Sequence, residues 1–352
     1  MKQACVVRFA QGTRVGVLLH LQAEKTSAYK IFDVFSYLCA MIILNIVWIM
    51  VGIVMVLWGA DRLTDGAVAF AEKMKIPQIV IGLTIVAMGT SMPEFCVSFV
   101  SAIKGTPDLA VGNVIGSNIF NTLLIVGVAA IVTPITILRS TIKRDVPFAL
   151  FASVLLLLLC FDGWLSRTDA GILFGVFIVF MYITLHSAKS SVRTEEGTKK
   201  NYSTQKSVLF LLLGLLCLIF GSNIFVDGAT HIARTIGVSD AVIGLTIVAG
   251  GTSLPELATS VVSAKKGQSG IAIGNVLGSN VFNILFILGV TGLVTPMQIE
   301  NISSVDLVMM VFSIALLWLF SFTKYALSRW EGAFLVVIFM SYIGYLATLV
   351  IR

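Results

Sequence analysis

Charge is what this sequence has least of. Asp, Glu, Lys and Arg make up 12% of its 352 residues, about half the roughly 25% usual for a soluble globular chain. That scarcity excludes a soluble fold, and 57% hydrophobic residues gathered in long runs leave a polytopic membrane protein. Histidine is equally scarce. His20, His186 and His231 stand alone, so an imidazole metal centre is excluded and no base lies near a candidate serine nucleophile in sequence. The five cysteines are scattered singly, with no CxxC pair, and read as small packing residues rather than a disulfide or zinc framework. The net charge of +6 lies between apolar segments instead of along one face. Nucleic acid is therefore not an expected partner, whereas the lipid bilayer is. No catalytic residue, bound cofactor or obligatory protein partner is expected, and the chain does not read as an enzyme.

Apolar segments of spanning length fall near 36–58, 79–103, 109–134, 145–161 and 169–186, and again near 207–222, 239–264, 270–294, 305–321 and 332–351. The expected fold class is an all-α membrane protein with ten transmembrane helices. Short amphipathic stretches near 60–75 and 223–236 are expected as half-helices or membrane-surface caps. The two sets of five are copies. "GLTIVAMGTSMPE" (82–94) returns as "GLTIVAGGTSLPE" (244–256), and "GNVIGSNIFN" (112–121) as "GNVLGSNVFN" (274–283), both at an offset of 162. An odd number of spans per copy makes the second enter from the opposite face, giving two inverted five-helix repeats with a site expected at their interface. The expected organisation is a first repeat over 41–186, a cytoplasmic linker over 187–206 and a second repeat over 207–352.

Lysines and arginines set the orientation. Arg62, Lys73, Lys75, Arg139, Lys143, Arg144, Lys265, Lys266, Lys324 and Arg329 fall on the side of the 187–206 loop, which the positive-inside rule makes cytoplasmic, with both termini outside. Residues 1–40 carry five basic residues on the other side. Because Met41 maps onto Ser203, just before the second copy, 1–40 is expected to be an N-terminal extension: a disordered tail, or a translated stretch upstream of a natural start at Met41.

Glu94 and Glu256 are the acids deep inside predicted spans. A carboxylate at mid-bilayer costs on the order of 2.5–3.5 kcal/mol and usually marks an ion or proton path. A single buried glutamate could be a protonated, hydrogen-bonded structural group. Two, at equivalent places with the same polar neighbours, point to function. Thr90 and Glu94 share a helical face with Ser91 alongside, and Pro93 removes the donor for the Gly89 carbonyl. Thr252, Ser253, Pro255 and Glu256 repeat the arrangement. Asn113, Ser117 and Asn121 form a four-spaced polar stripe, as do Asn275, Ser279 and Asn283. Gly112, Gly116, Gly274 and Gly278 are packing residues beside those stripes, while Asn118 and Asn280 are better suited to interhelical hydrogen bonds. Hard oxygen donors with two carboxylates suit one Ca²⁺ or several Na⁺.

These paired motifs resemble the alpha-repeats of the sodium/calcium exchanger branch of the cation/Ca²⁺ exchanger superfamily, over roughly residues 41–352. The resemblance implies a secondary antiporter that exchanges Na⁺ for Ca²⁺ by alternating access. It implies Ca²⁺ ligation by Glu94, Glu256, Thr90 and Thr252, with Ser91 and Ser253 beside them. It implies Na⁺ contacts from Ser117, Ser279, Asn121, Asn283 and the backbone oxygens of Ala87 and Ala249. Many relatives carry Asp where this chain has Asn283, so K⁺ co-transport is not expected. Protons are a further candidate partner, competing for the carboxylates. The alternatives are an H⁺/Ca²⁺ (or other divalent cation) antiporter on the same fold and, in a different class, a cation channel. The expected location is the plasma (inner) membrane of a prokaryote.

Overall fold

The computed structural model describes residues 14–190, 202–237, 247, 249–300 and 302–351. Helices dominate, because in hydrocarbon every backbone polar group must be satisfied within its own segment. They are α1 (Arg14–Met74), α2 (Gln78–Thr90), α3 (Met92–Ile103), α4 (Pro107–Val132), α5 (Val146–Leu159), α6 (Arg167–Ser190), α7 (Thr204–Thr235), α8 (Ala249–Thr252), α9 (Leu254–Lys265), α10 (Ser269–Val294), α11 (Ser304–Ser321) and α12 (Arg329–Ile351). Among the described residues, seven helices are long and apolar enough to cross a membrane, or eight if the bent pair α2–α3 is one span.

The 162-residue offset reappears in the element boundaries. Met92–Ile103 maps onto Leu254–Lys265, and Pro107–Val132 onto Ser269–Val294. Four two-residue strands join the copies, a feature the all-helical expectation did not contain. β1 (Ile135–Thr136) pairs with β4 (Ala326–Leu327), and β2 (Trp164–Leu165) with β3 (Met297–Gln298), both antiparallel. Each pair joins one copy to the other.

The copies are centred on α4 and α10, whose apolar side chains (Val114, Ile119, Leu123, Leu277, Phe282 and Ile284 among them) form the core. By contrast, α1 leaves Ile43, Leu44 and Val54 exposed, as expected of a lipid-facing helix. The stretches 60–75 and 223–236 are not separate caps. They are the last turns of α1 and α7, which run through without interruption. Neither stretch holds a proline to break the helix, and the polar residues of the first find partners without unwinding it: Lys266 bonds Asp65 at 2.7 Å. The stretch expected to stand outside the fold is helical from Arg14, continuous with α1. The expected linker falls largely on 191–201, outside the described residues.

α1 and α7 meet along a seam of glycines spaced by seven: Gly52, Gly59 and Gly66 on one, Gly214, Gly221 and Gly228 on the other. A Cβ at Gly59 would lie 2.8 Å from the Gly214 carbonyl oxygen, and one at Gly52 2.7 Å from that of Gly221. Only glycine permits backbones this close.

Candidate cation site

The site forms where two helices break. Pro93 and Pro255 stand in the first turn of α3 and α9, and the residue before each helix leaves helical geometry: Ser91 at φ −83°, ψ 8° and Ser253 at φ −90°, ψ 8°. The axes of α2 and α3 differ by 48°. Each break places a glutamate in the opening turn of a new helix, where unpaired N–H groups and the helix dipole favour negative charge.

The two breaks exchange contacts. Ser91 Oγ donates to Glu256 Oε1 at 2.9 Å, and Ser253 Oγ donates to Glu94 Oε1 at 3.0 Å. The hydroxyls of Thr252 and Thr90 lie beside the same two carboxylates, Glu94 and Glu256 respectively. Both glutamates are 1% exposed. Each therefore has one oxygen held by the other copy, while Oε2 of both is buried without a hydrogen-bond partner.

α4 and α10 supply the second wall. Asn113 donates to the Glu94 carbonyl oxygen at 3.2 Å and to Ser98 Oγ at 2.9 Å. Asn275 does the same to Glu256 and Ser260, at 3.3 and 3.0 Å. These asparagines brace the backbone of the glutamates instead of lining the site with Asn121 and Asn283. Further along, Asn121 Nδ2 donates to Asn280 Oδ1 and Asn283 Nδ2 to Asn118 Oδ1, each at 3.2 Å. Oδ1 of Asn121 and of Asn283 is then left buried and unpartnered. Ser117 and Ser279 are buried one turn earlier on the same helices.

Four buried carboxylate and amide oxygens without donors, together with the unpartnered Ser279 hydroxyl, fit a hard cation. Each such atom otherwise costs about 1–3 kcal/mol. Among the described residues no group of three or more His, Cys, Asp or Glu occurs. The donor set is thus two acids and neutral oxygens, which matches the charge of one Ca²⁺.

Two expected contributors are differently engaged. The Ala87 carbonyl accepts the Ser91 N–H at 3.0 Å and the Thr90 hydroxyl at 3.3 Å; its counterpart Ala249 opens α8. The Gly251 carbonyl, deprived of its helical donor by Pro255, takes the Ser222 hydroxyl from α7. Of the packing glycines, Gly278 is tightly placed, since a Cβ there would stand 2.7 Å from Leu83 Cα, and Gly274 lies against Gly82. Among the described residues nothing comes that close to Gly112 or Gly116. The segment equivalent to 79–87 there is 241–249, most of it outside the described residues.

Sequence reasoning missed Ser98, Ser260 and Ser222. The first two recur at the 162 offset and could have been found by it; Ser222 has Ala60 as its counterpart, so the repeat carries no signal for it.

A family model described as sodium/calcium exchanger protein matches residues 44–186 and again 206–348. The sodium/calcium exchanger MaX1 of Methanosarcina acetivorans is 33% identical over 350 residues, spanning 88% of this chain and 99% of that protein. The inner membrane protein YrbG of Escherichia coli K12 is 37% identical over 264 residues, 72% of this chain and 81% of its own length. The solved structure of the sodium-calcium exchanger NCX_Mj soaked with 2.5 mM Na⁺ and 0.1 mM Ca²⁺ superposes with a TM-score of 0.77 at 32% identity, covering 86% of this chain and 98% of that one.

Proposed function

The chain belongs to the sodium/calcium exchanger family, a family of membrane transporters, and we propose that it exchanges Na⁺ for Ca²⁺ by alternating access, without K⁺. The observation that carries this reading is the reciprocal hold of each glutamate by the other copy's serine, with five unpartnered oxygens at the site, those of Glu94, Glu256, Asn121, Asn283 and Ser279. Ca²⁺ would be balanced by Glu94 and Glu256, with Thr90, Thr252, Ser91 and Ser253 completing its shell. Na⁺ would share the oxygens of Ser117, Asn121, Ser279, Asn283 and the Ala87 and Ala249 backbone. With Asn at 283 the site holds two formal negatives, and a large, weakly hydrated K⁺ lacks the third charge that would hold it alongside Ca²⁺.

The reading includes ten spans in two inverted repeats, over 41–186 and 207–352, joined by a cytoplasmic linker at 187–206. Strand pairing supports the inversion. The helical stretch 141–159 separates β1 from β2 by about 28 Å at 1.5 Å per residue, roughly a bilayer core. β1 pairs with β4 and β2 with β3, so the equivalent loops holding β1 and β3 lie at opposite ends. The Lys and Arg distribution then sets the linker inside and both termini outside a prokaryotic plasma membrane.

Radiolabelled Ca²⁺ flux in proteoliposomes tests the assignment. Uphill Ca²⁺ uptake driven by an outward Na⁺ gradient, abolished when choline replaces Na⁺ and unchanged without K⁺, is expected. Uptake driven by a proton gradient alone would make it an H⁺/Ca²⁺ antiporter. Flux that needs no counter-ion would make it a channel, and a requirement for K⁺ would overturn the K⁺-independent reading.

A further inference from the structure

Two asparagines on α4 and α10 that offer no oxygen to the cation decide how those that do are turned. An asparagine amide is nearly symmetric in shape, so a ligand Asn presents its oxygen to a cation only if something fixes its nitrogen elsewhere. We propose that Asn118 and Asn280 are positioning residues that turn the Asn283 and Asn121 amides so that both oxygens face the cation. The inference rests on the site proposed above and adds residues to it.

The orientation can be followed atom by atom. The Thr122 hydroxyl gives its hydrogen to the Asn118 carbonyl at 2.9 Å, so toward any other group Thr122 Oγ1 can only accept. Asn280 must therefore present Nδ2 to it, at 2.8 Å. That turns Asn280 Oδ1 toward Asn121, which answers with Nδ2 at 3.2 Å and keeps Oδ1 free. In the other direction, Asn118 Nδ2 is fixed by a backbone oxygen, the Asn280 carbonyl, at 3.3 Å. Its Oδ1 faces Asn283, which donates Nδ2 at 3.2 Å and likewise keeps Oδ1 free. Inverting any one amide would set oxygen against oxygen or nitrogen against nitrogen. All four asparagines are 1% exposed, so water is not at hand to relieve such a clash. The anchors also differ: a threonine hydroxyl fixes the Asn121 arm and a main-chain carbonyl the Asn283 arm, because the counterpart of Thr122 is Ile284.

The test measures the half-saturating Na⁺ concentration for Na⁺-driven Ca²⁺ uptake by the full chain in proteoliposomes. Asn121→Ala and Asn283→Ala each remove a ligand oxygen, and about a tenfold rise is expected from either. Asn118→Leu should give a comparable rise alone and none beyond Asn283→Ala when combined with it. Thr122→Val, nearly isosteric and retaining the fold, should give about a threefold rise that vanishes in the Asn121→Ala background. Effects that multiply in the double variants would mean independent packing roles and overturn the proposal. So would an unchanged half-saturation in Asn118→Leu and Thr122→Val. If Asn118→Leu does not insert, the Thr122 and Asn121 cycle decides. No shift in either single alanine variant would overturn the site itself, and this inference with it; shifts there without shifts in Asn118→Leu and Thr122→Val overturn this inference alone.

Discussion

At the centre of the molecule nearly every polar contact occurs twice; at its flank, along α1 and α7, the glycine seam is repeated but the polar contacts occur once. The serine-to-glutamate bonds, the asparagine braces and the paired amides each have a counterpart 162 residues away. Outside them, Lys266 bonds Asp65 and pairs with Asp61, but the equivalent Lys104 and Asp227 are exposed and form no ion pair with each other. Thr64 and Ser263 share a hydrogen bond of 2.9 Å, whereas their counterparts are Val226 and Ser101. Ser222 holds Gly251 and has only Ala60 opposite. An exchanger must offer the same ligands from both sides while opening to one side at a time. Duplicated chemistry at the centre with single-copy polar contacts at the flank is consistent with the exchange proposed above.

The central symmetry can be broken most severely. Glu94→Gln and Glu256→Gln should each lower Na⁺-driven Ca²⁺ flux at least about a hundredfold, since an uncompensated buried charge costs about 3–5 kcal/mol. The two losses should agree within a few-fold, and one variant retaining wild-type flux would end the two-carboxylate site. At the flank the expected effects are smaller and unequal. Lys266→Met removes the closer of two cations from Asp65, which is 5% exposed and keeps Arg62 at 4.0 Å. It should shift the balance between closed and open forms on that side by about tenfold, on the order of 1–2 kcal/mol. Thiol labelling of a Ser263→Cys variant should speed up accordingly, while Lys104→Met leaves it unchanged. Equal responses to the two lysine changes would remove the asymmetry. Smallest is Ser222→Ala, which leaves the Gly251 carbonyl without its donor at about 1 kcal/mol, or roughly a fivefold rise in half-saturating Ca²⁺. Ala60→Ser should do little, because the space against Gly89 is filled by Leu215 of α7 rather than by α1.

The sequence made the breaks and their acids legible because proline, glutamate and hydroxyls stand out in an apolar run and were repeated. It could not show how the parts interlock. The four-residue stripe looked like one wall, but four residues turn a helix by about 400°, so Asn113 points about 80° away from Asn121. That rotation is enough to set Asn113 against α3 and leave Asn121 in the site. Nor do the π-helical turns at Phe120–Ile125 and Phe282–Ile287 have a signature in composition, although they begin one residue before Asn121 and Asn283. The polar ends of α1 and α7 looked like separate caps for a similar reason. Periodicity reports a change of face, whereas continuity of the helix depends on partners such as Lys266, far away in the chain.

Because each glutamate is held by a serine of the other copy, neither copy of the motif completes the candidate site alone. On the inverted-repeat reading proposed above, a half inserted in one orientation lacks what only a half inserted in the other lends it. Two identical copies could not hold a difference such as Ser222 opposite Ala60; copies joined in one chain can.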